Sequence, residues 1–186
     1  MTDSTEQKNN VRLHARWALS KIKSCTLPDL KGHAIFWSLF AAGLVLDLWS
    51  KRAVFARLEL GDSISVIDGF LRLVAALNQG AAFGIAAGQS SLLIVISVLA
   101  LVVIVGAFLF GGTRQRLNHV AFGLFAAGVC GNLWDRVFND GLVRDFIDVT
   151  YWPGKHWPAF NVADSLLCIG VGLLILSSFR ASKHAK

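Results

Sequence analysis

The stretch SLLIVISVLALVVIVGAFLF, Ser91 to Phe110, runs for twenty residues without a charge. At ~1.5 Å per residue it makes a helix about as long as a ~30 Å hydrocarbon layer is thick, with its backbone polar groups bonded inside the segment. Its β-branched side chains mark a lipid-facing scaffold span. Three further apolar runs accompany it, Ile35 to Trp49, Leu117 to Phe138 and Ala159 to Phe179. Composition agrees: 54% of the 186 residues are hydrophobic, 16% are charged, and the mean hydropathy of +0.55 is too high for a soluble domain of this length. The expected fold is a mainly α, polytopic membrane protein with four transmembrane helices over residues 32–180. A small β-rich region at 56–84 and an interfacial loop at 139–158 lie outside the membrane, and polar tails occupy 1–31 and 181–186.

The first run follows a basic segment, as a secretory signal would. About thirty residues precede it and no small-residue cleavage site follows, so it is read as a retained anchor. The tail to Lys31, the Arg114/Arg116 loop and Arg180, Lys183 and Lys186 together hold eleven of the Lys and Arg residues. The opposite side holds seven, Lys51, Arg52, Arg57, Arg72, Arg136, Arg144 and Lys155. That bias puts both termini in the cytoplasm and the polar loops outside. The net charge of +6 is thus a matter of membrane topology, and nucleic acid is not an expected partner. Cys25, Cys130 and Cys168 have no paired spacing. His14, His33, His119, His156 and His184 have no ligand pattern, so neither a metal nor a cofactor is expected.

Within the outer region, SISVIDGFLRLVAAL (63–77) alternates like a strand pair, with Asp68 and Gly69 as its turn. The third run carries Gly123, Ala127 and Gly131 at four-residue spacing, a ridge that allows close helix packing. Its outer end places Asn132, Asp135 and Arg136 on one helical face. The fourth run opens with Asn161, Asp164 and Ser165 at the same spacing.

Threaded through four spans, Asp47, Asp135 and Asp164 reach similar depth, with Asp145 and Asp148 in the connection between the last two. A charge inside a span costs ~2.5–3.5 kcal/mol on insertion scales, so it needs a partner or a function. Asp47 and Lys51 stand at i, i+4 and Asp135 adjoins Arg136, which assigns these residues to structural support. Asp148 is read as an interfacial surface charge. Asp145 and Asp164 have no base at helical spacing, and strand alternation turns Arg144 away from Asp145. Two such carboxylates brought together share a proton; one activates water while the other protonates the scissile group, the chemistry of an aspartic protease. Tyr151, Trp152 and Trp157 would hold the pair at headgroup depth. The alternatives are a small proton-coupled transporter, since membrane acids also form relays, and a noncatalytic assembly factor.

Five ordered blocks sharpen this reading: DLWSK (47–51), NQGAAFG (78–84), GNLWDR (131–136), VRDFID (143–148) and FNVADS (160–165). Together they resemble the bacterial lipoprotein signal peptidases, or type II signal peptidases. The resemblance implies an inner-membrane aspartic endopeptidase, acting as a monomer, that removes the signal peptide before a diacylglyceryl-modified cysteine. By matched motif it puts the catalytic pair on Asp145 and Asp164. Substrate-lining positions fall on Asn78, Asn132, Arg136 and Asn161, and polar support on Asp47, Lys51 and Asp135. Arg144 departs from the family, which often has an apolar residue there, and the N-terminal tail is longer than the fold requires.

Overall fold

The computed structural model describes residues 27–80, 86–112 and 115–184. The N-terminal tail to residue 26 with His14 and Cys25, residues 81–85 on the approach to the second span, residues 113–114 with Arg114, and residues 185–186 lie outside the described residues. The described residues form four long helices and a four-stranded antiparallel sheet. Their order is α1 (Leu30–Phe55), β1 (Ser63–Ile67), β2 (Leu71–Asn78), α2 (Ser90–Phe110), α3 (Arg116–Phe138), β3 (Val143–Trp152), β4 (Lys155–His156) and α4 (Val162–His184). Among the described residues, three helices are long and apolar enough to cross a membrane: Leu30–Phe55, Ser90–Phe110 and Val162–Arg180. Helix α3 is of similar length but carries Asn118, His119, Asn132, Asp135 and Arg136, and it packs against the other three.

Close backbone approach makes this packing possible. In lipid, apolar surface gains little by meeting other apolar surface, so helices associate by van der Waals fit. A Cβ on Gly123 would come within 2.8 Å of the Phe36 carbonyl oxygen, and one on Gly131 within 3.0 Å of Asp47 Cγ. Gly43 of α1 answers with the same tightness against Ala127. The ridge read in the third run therefore faces α1, and Gly128, pressed on the Ala163 carbonyl, faces α4. Gly131→Val is expected to lower stability by about 1–3 kcal/mol through overpacking. Gly106→Ala, with nothing within 4 Å, should not lower it; thermal unfolding in detergent separates the two.

At the α1 N-terminus, Asp29 caps the helix by accepting from the Gly32 N–H at 2.9 Å, and Arg116 grips the same carboxylate at 2.5 and 2.6 Å. Those contacts hold the Asp29 carboxyl well below the usual carboxylate range, the Arg116 hydrogen bond contributing most. Above this end, Phe36 stacks on Phe108 at 4.1 Å, and His33 and His119 meet Phe108 edge-on.

The sheet runs β1-β2-β3-β4. Asp68 and Gly69, the latter at φ +73°, turn β1 into β2, and Phe70 N–H closes the turn on the Ile67 carbonyl at 3.0 Å. The predicted loop at 139–158 is instead mostly strand. Asp140 and Gly141, both in left-handed conformation, reverse the chain after α3 and lay β3 antiparallel to β2. The cause is in the sequence: VRDFIDV supplies β-branched and aromatic residues over a strand's length. Phe160 extends the arrangement by exchanging backbone hydrogen bonds with Ile147 at 2.8 and 3.0 Å, which sets the start of α4 beside β3.

Candidate active site

The NVAD sequence at the start of α4 forms a reciprocal cap. Asn161 Oδ1 accepts the Asp164 N–H at 3.0 Å, and Asp164 Oδ2 accepts the Asn161 N–H at 3.1 Å. The motif satisfies two backbone donors that a helix start would leave orphaned. It also fixes the Asp164 carboxylate in the first turn, where the helix dipole favours negative charge.

The same Asn161 joins the other acid. Its Nδ2 donates to Asp145 Oδ1 at 2.7 Å and lies within bonding range of Asn132 Oδ1 and the Arg144 carbonyl. Asn132, on α3, donates its Nδ2 to Asp164 Oδ1 at 2.8 Å. Asn78, at the end of β2, donates to Asp145 Oδ2 at 3.0 Å. Three amides from three elements thus hold the two carboxylates in one network, and among the described residues neither acid forms an ion pair. Asn161 is fully buried and Asp145 is 3% exposed.

Burial pushes the Asp145 carboxyl up to about 7, the negative charge of Asp164 adds to the rise, and the Asn78 and Asn161 hydrogen bonds oppose it. An uncompensated carboxyl next to a second acid keeps its proton near neutrality.

Below the acids lies a separate ionic set. Lys51 Nζ stands 2.8 Å from Asp47 Oδ2, 3.3 Å from Asp135 Oδ2 and 3.1 Å from Asn132 Oδ1, and all three charged groups are fully buried. Asp47 also accepts the Ala163 N–H at 2.8 Å, tying α1 to α4. Asp135 does not pair with its neighbour Arg136, as the sequence had implied. It takes Arg144 instead, at 2.6 Å from Nη2 and 2.9 Å from the backbone N–H. Adjacent helical residues diverge by about 100°, so Arg136 points elsewhere and donates to the Gly80 carbonyl at 2.9 Å.

Asp148 is likewise not a surface charge. It is 5% exposed, bound by Arg72 through Nε at 3.0 Å and through Nη2, with His156 Nδ1 at 2.9 Å on its other oxygen. Arg72 and Asp148 are partners in the β2–β3 register, a pairing that only strand alignment reveals. Asn78, Asn132, Asn161, Asp145 and Asp164 meet in one place. Arg136 approaches it through the residue 80 loop, while Asp47, Lys51 and Asp135 lie behind it.

The family model for signal peptidase (SPase) II matches residues 39–180. A lipoprotein signal peptidase of Geobacter sulfurreducens is 42% identical over 155 residues, covering 82% of this chain and 96% of its own length. That of Halalkalibacterium halodurans is 38% identical over 152 residues, with the same coverage of 82% and 96%. A solved bacterial membrane enzyme matches with a TM-score of 0.77 at 32% identity, over 86% of this chain and 95% of its own. A second gives 0.70 at 32% identity, over 82% and 96%. The transporter alternative finds no support among these relatives.

Proposed function

The chain belongs to the signal peptidase II family, and on that premise we propose that Asp145 and Asp164 are its catalytic dyad. The protein is a bacterial membrane aspartic peptidase that removes signal peptides from prolipoproteins. One observation carries the assignment. Asp145 and Asp164 are bridged by the Asn161 and Asn132 amides and, among the described residues, form no ion pair, whereas Asp47, Asp135 and Asp148 are each neutralised by a cation.

Asp145, whose carboxyl is pushed up to about 7 by burial, is the proton donor of the pair. Asp164 takes a proton from a water as that water attacks the scissile carbonyl. Asp145 gives its proton to the developing tetrahedral oxygen; Asp164 then passes the proton it took from water to the leaving amide nitrogen as the C–N bond breaks, and a hydroxyl proton of the collapsing centre returns to Asp145. The bond broken lies before the diacylglyceryl-modified cysteine. Asn78, Asn132, Arg136 and Asn161 line the substrate path, and the three asparagines keep the dyad from swinging out of register. All four helices cross the inner membrane with both termini cytoplasmic, so the sheet and dyad face outward. Exposed Tyr151, Trp152 and Trp157 set the depth at which a lipid-anchored precursor arrives. The domain of residues 32–180 works as a monomer among membrane lipids, between its two tails.

Rate against pH tests the shared proton. Above about 7 Asp145 loses the proton it must donate, so cleavage falls on the alkaline side. An alkaline limb near pH 7 is expected for a reconstituted enzyme on a lipidated precursor; a rate still rising through pH 9 would rule out Asp145 as the proton donor.

A further inference from the structure

Arg144 is assigned no part in the dyad, yet it holds several parts of the site together. Its backbone N–H donates to Asp135 Oδ2 at 2.9 Å, and its Nε and Nη2 donate to Oδ1 at 3.2 and 2.6 Å. Its carbonyl lies within bonding range of Asn161 Nδ2 at 3.3 Å. Strand alternation then sends the next side chain, Asp145, the other way, toward Asn78 and Asn161. β3 is pinned to α3 one residue before the proposed proton donor.

The pin also governs a cation. Lys51 divides itself among Asp47, Asp135 and Asn132 Oδ1. Lys51 and Arg144 together cancel the two carboxylates, so Asp135 does not need the ammonium to itself. Lys51 can therefore stay on Asn132, whose amide nitrogen holds Asp164. Without Arg144, Asp135 would draw the ammonium off Asn132, and the ionic set would carry a net negative charge.

We propose that Arg144 is a positioning residue for the Asp145–Asp164 pair, acting through Asp135 to fix the Asp145 backbone and to leave Lys51 on Asn132. The inference rests on the dyad reading above. The charged groups that face Asp145 are Asp164 from α4, Lys51 from α1 and Arg136 from α3. Net negative charge gained nearby would raise the Asp145 carboxyl further.

Wild type, Arg144→Leu and Arg144→Lys are compared in nanodiscs on a diacylglyceryl-modified precursor, with kcat expressed per folded molecule. Arg144→Leu is expected to lower kcat by about tenfold to a hundredfold, as small misplacements of reacting groups do. Its KM should stay within about twofold, because binding is not what is lost. Its alkaline limb should move to higher pH. Arg144→Lys keeps the charge but not the fork, so its limb should stay at the wild-type position while kcat recovers in part. A folded Arg144→Leu enzyme with wild-type kcat and an unmoved limb overturns the proposal, as does a loss confined to the yield of folded protein. If Arg144→Leu does not fold, wild-type kcat in Arg144→Lys overturns it and a reduced kcat with an unmoved limb supports it. A wild-type protein that leaves the precursor intact would refute the dyad reading instead.

Discussion

Asp164→Asn is expected to lower the cleavage rate by about 10²- to 10⁴-fold, the range a positioned acid–base group supplies. The substitution keeps the shape of the side chain and one acceptor oxygen. It loses either the Asn132 or the Asn161 contact, at about 0.5–1.5 kcal/mol, too little to unfold the protein. The loss should appear in kcat, with a thermal unfolding midpoint close to wild type. With the two acids acting as the proposed dyad, Asp145→Asn should cost about as much, and the double variant little more than either. Additive losses would mean that the carboxylates work independently, and the shared-proton mechanism would fall.

Lys51→Ala is expected to have the largest effect on stability. Lys51, Asp47 and Asp135 have no exposed side-chain surface. Asp135 keeps Arg144 when the ammonium goes, but among the described residues Asp47 keeps only the Ala163 N–H. Breaking a buried pair by removing one partner costs about 3–5 kcal/mol, because a charge is left without compensation. Replacing both partners by apolar residues, as in Asp47→Leu with Lys51→Met, should recover much of that, since the desolvation of both charges is removed together. Denaturation in mixed micelles measures both variants. A Lys51→Ala loss under about 1 kcal/mol would mean that the pair is solvated and not a structural core.

What could be read from the sequence was local. The charge-free run at 91–110, the Asp68-Gly69 turn and the Asp47–Lys51 spacing each depend on periodicity within a few residues, and each appears in the structure where expected. The Gly123/Ala127/Gly131 ridge was legible as a packing face, though not which helix it meets. Contacts that join distant elements were misread or missed. Adjacency in sequence gives Asp135 to Arg136, but the side-chain directions of α3 and β3 give it to Arg144. Asp148 reads as a surface charge in sequence because its partner, Arg72, becomes a neighbour only in the β2–β3 register. The reciprocal cap in NVAD was open to detection, as an Asn followed three residues later by an acid at the start of an apolar run. It holds the Asn161 and Asp164 side chains together at the helix start. The five sequence blocks supplied the family resemblance, which local periodicity could not.

The central claim is that this chain cuts before a lipidated cysteine by means of Asp145 and Asp164. Mass spectrometry of the products tests it most directly, with purified protein in nanodiscs and a diacylglyceryl-modified precursor. The predicted result is a wild-type fragment whose first residue is the lipidated cysteine, and no such fragment from Asp145→Asn over the same time. The same fragment released by Asp145→Asn at the wild-type rate, or a wild-type cut at another bond, would contradict it.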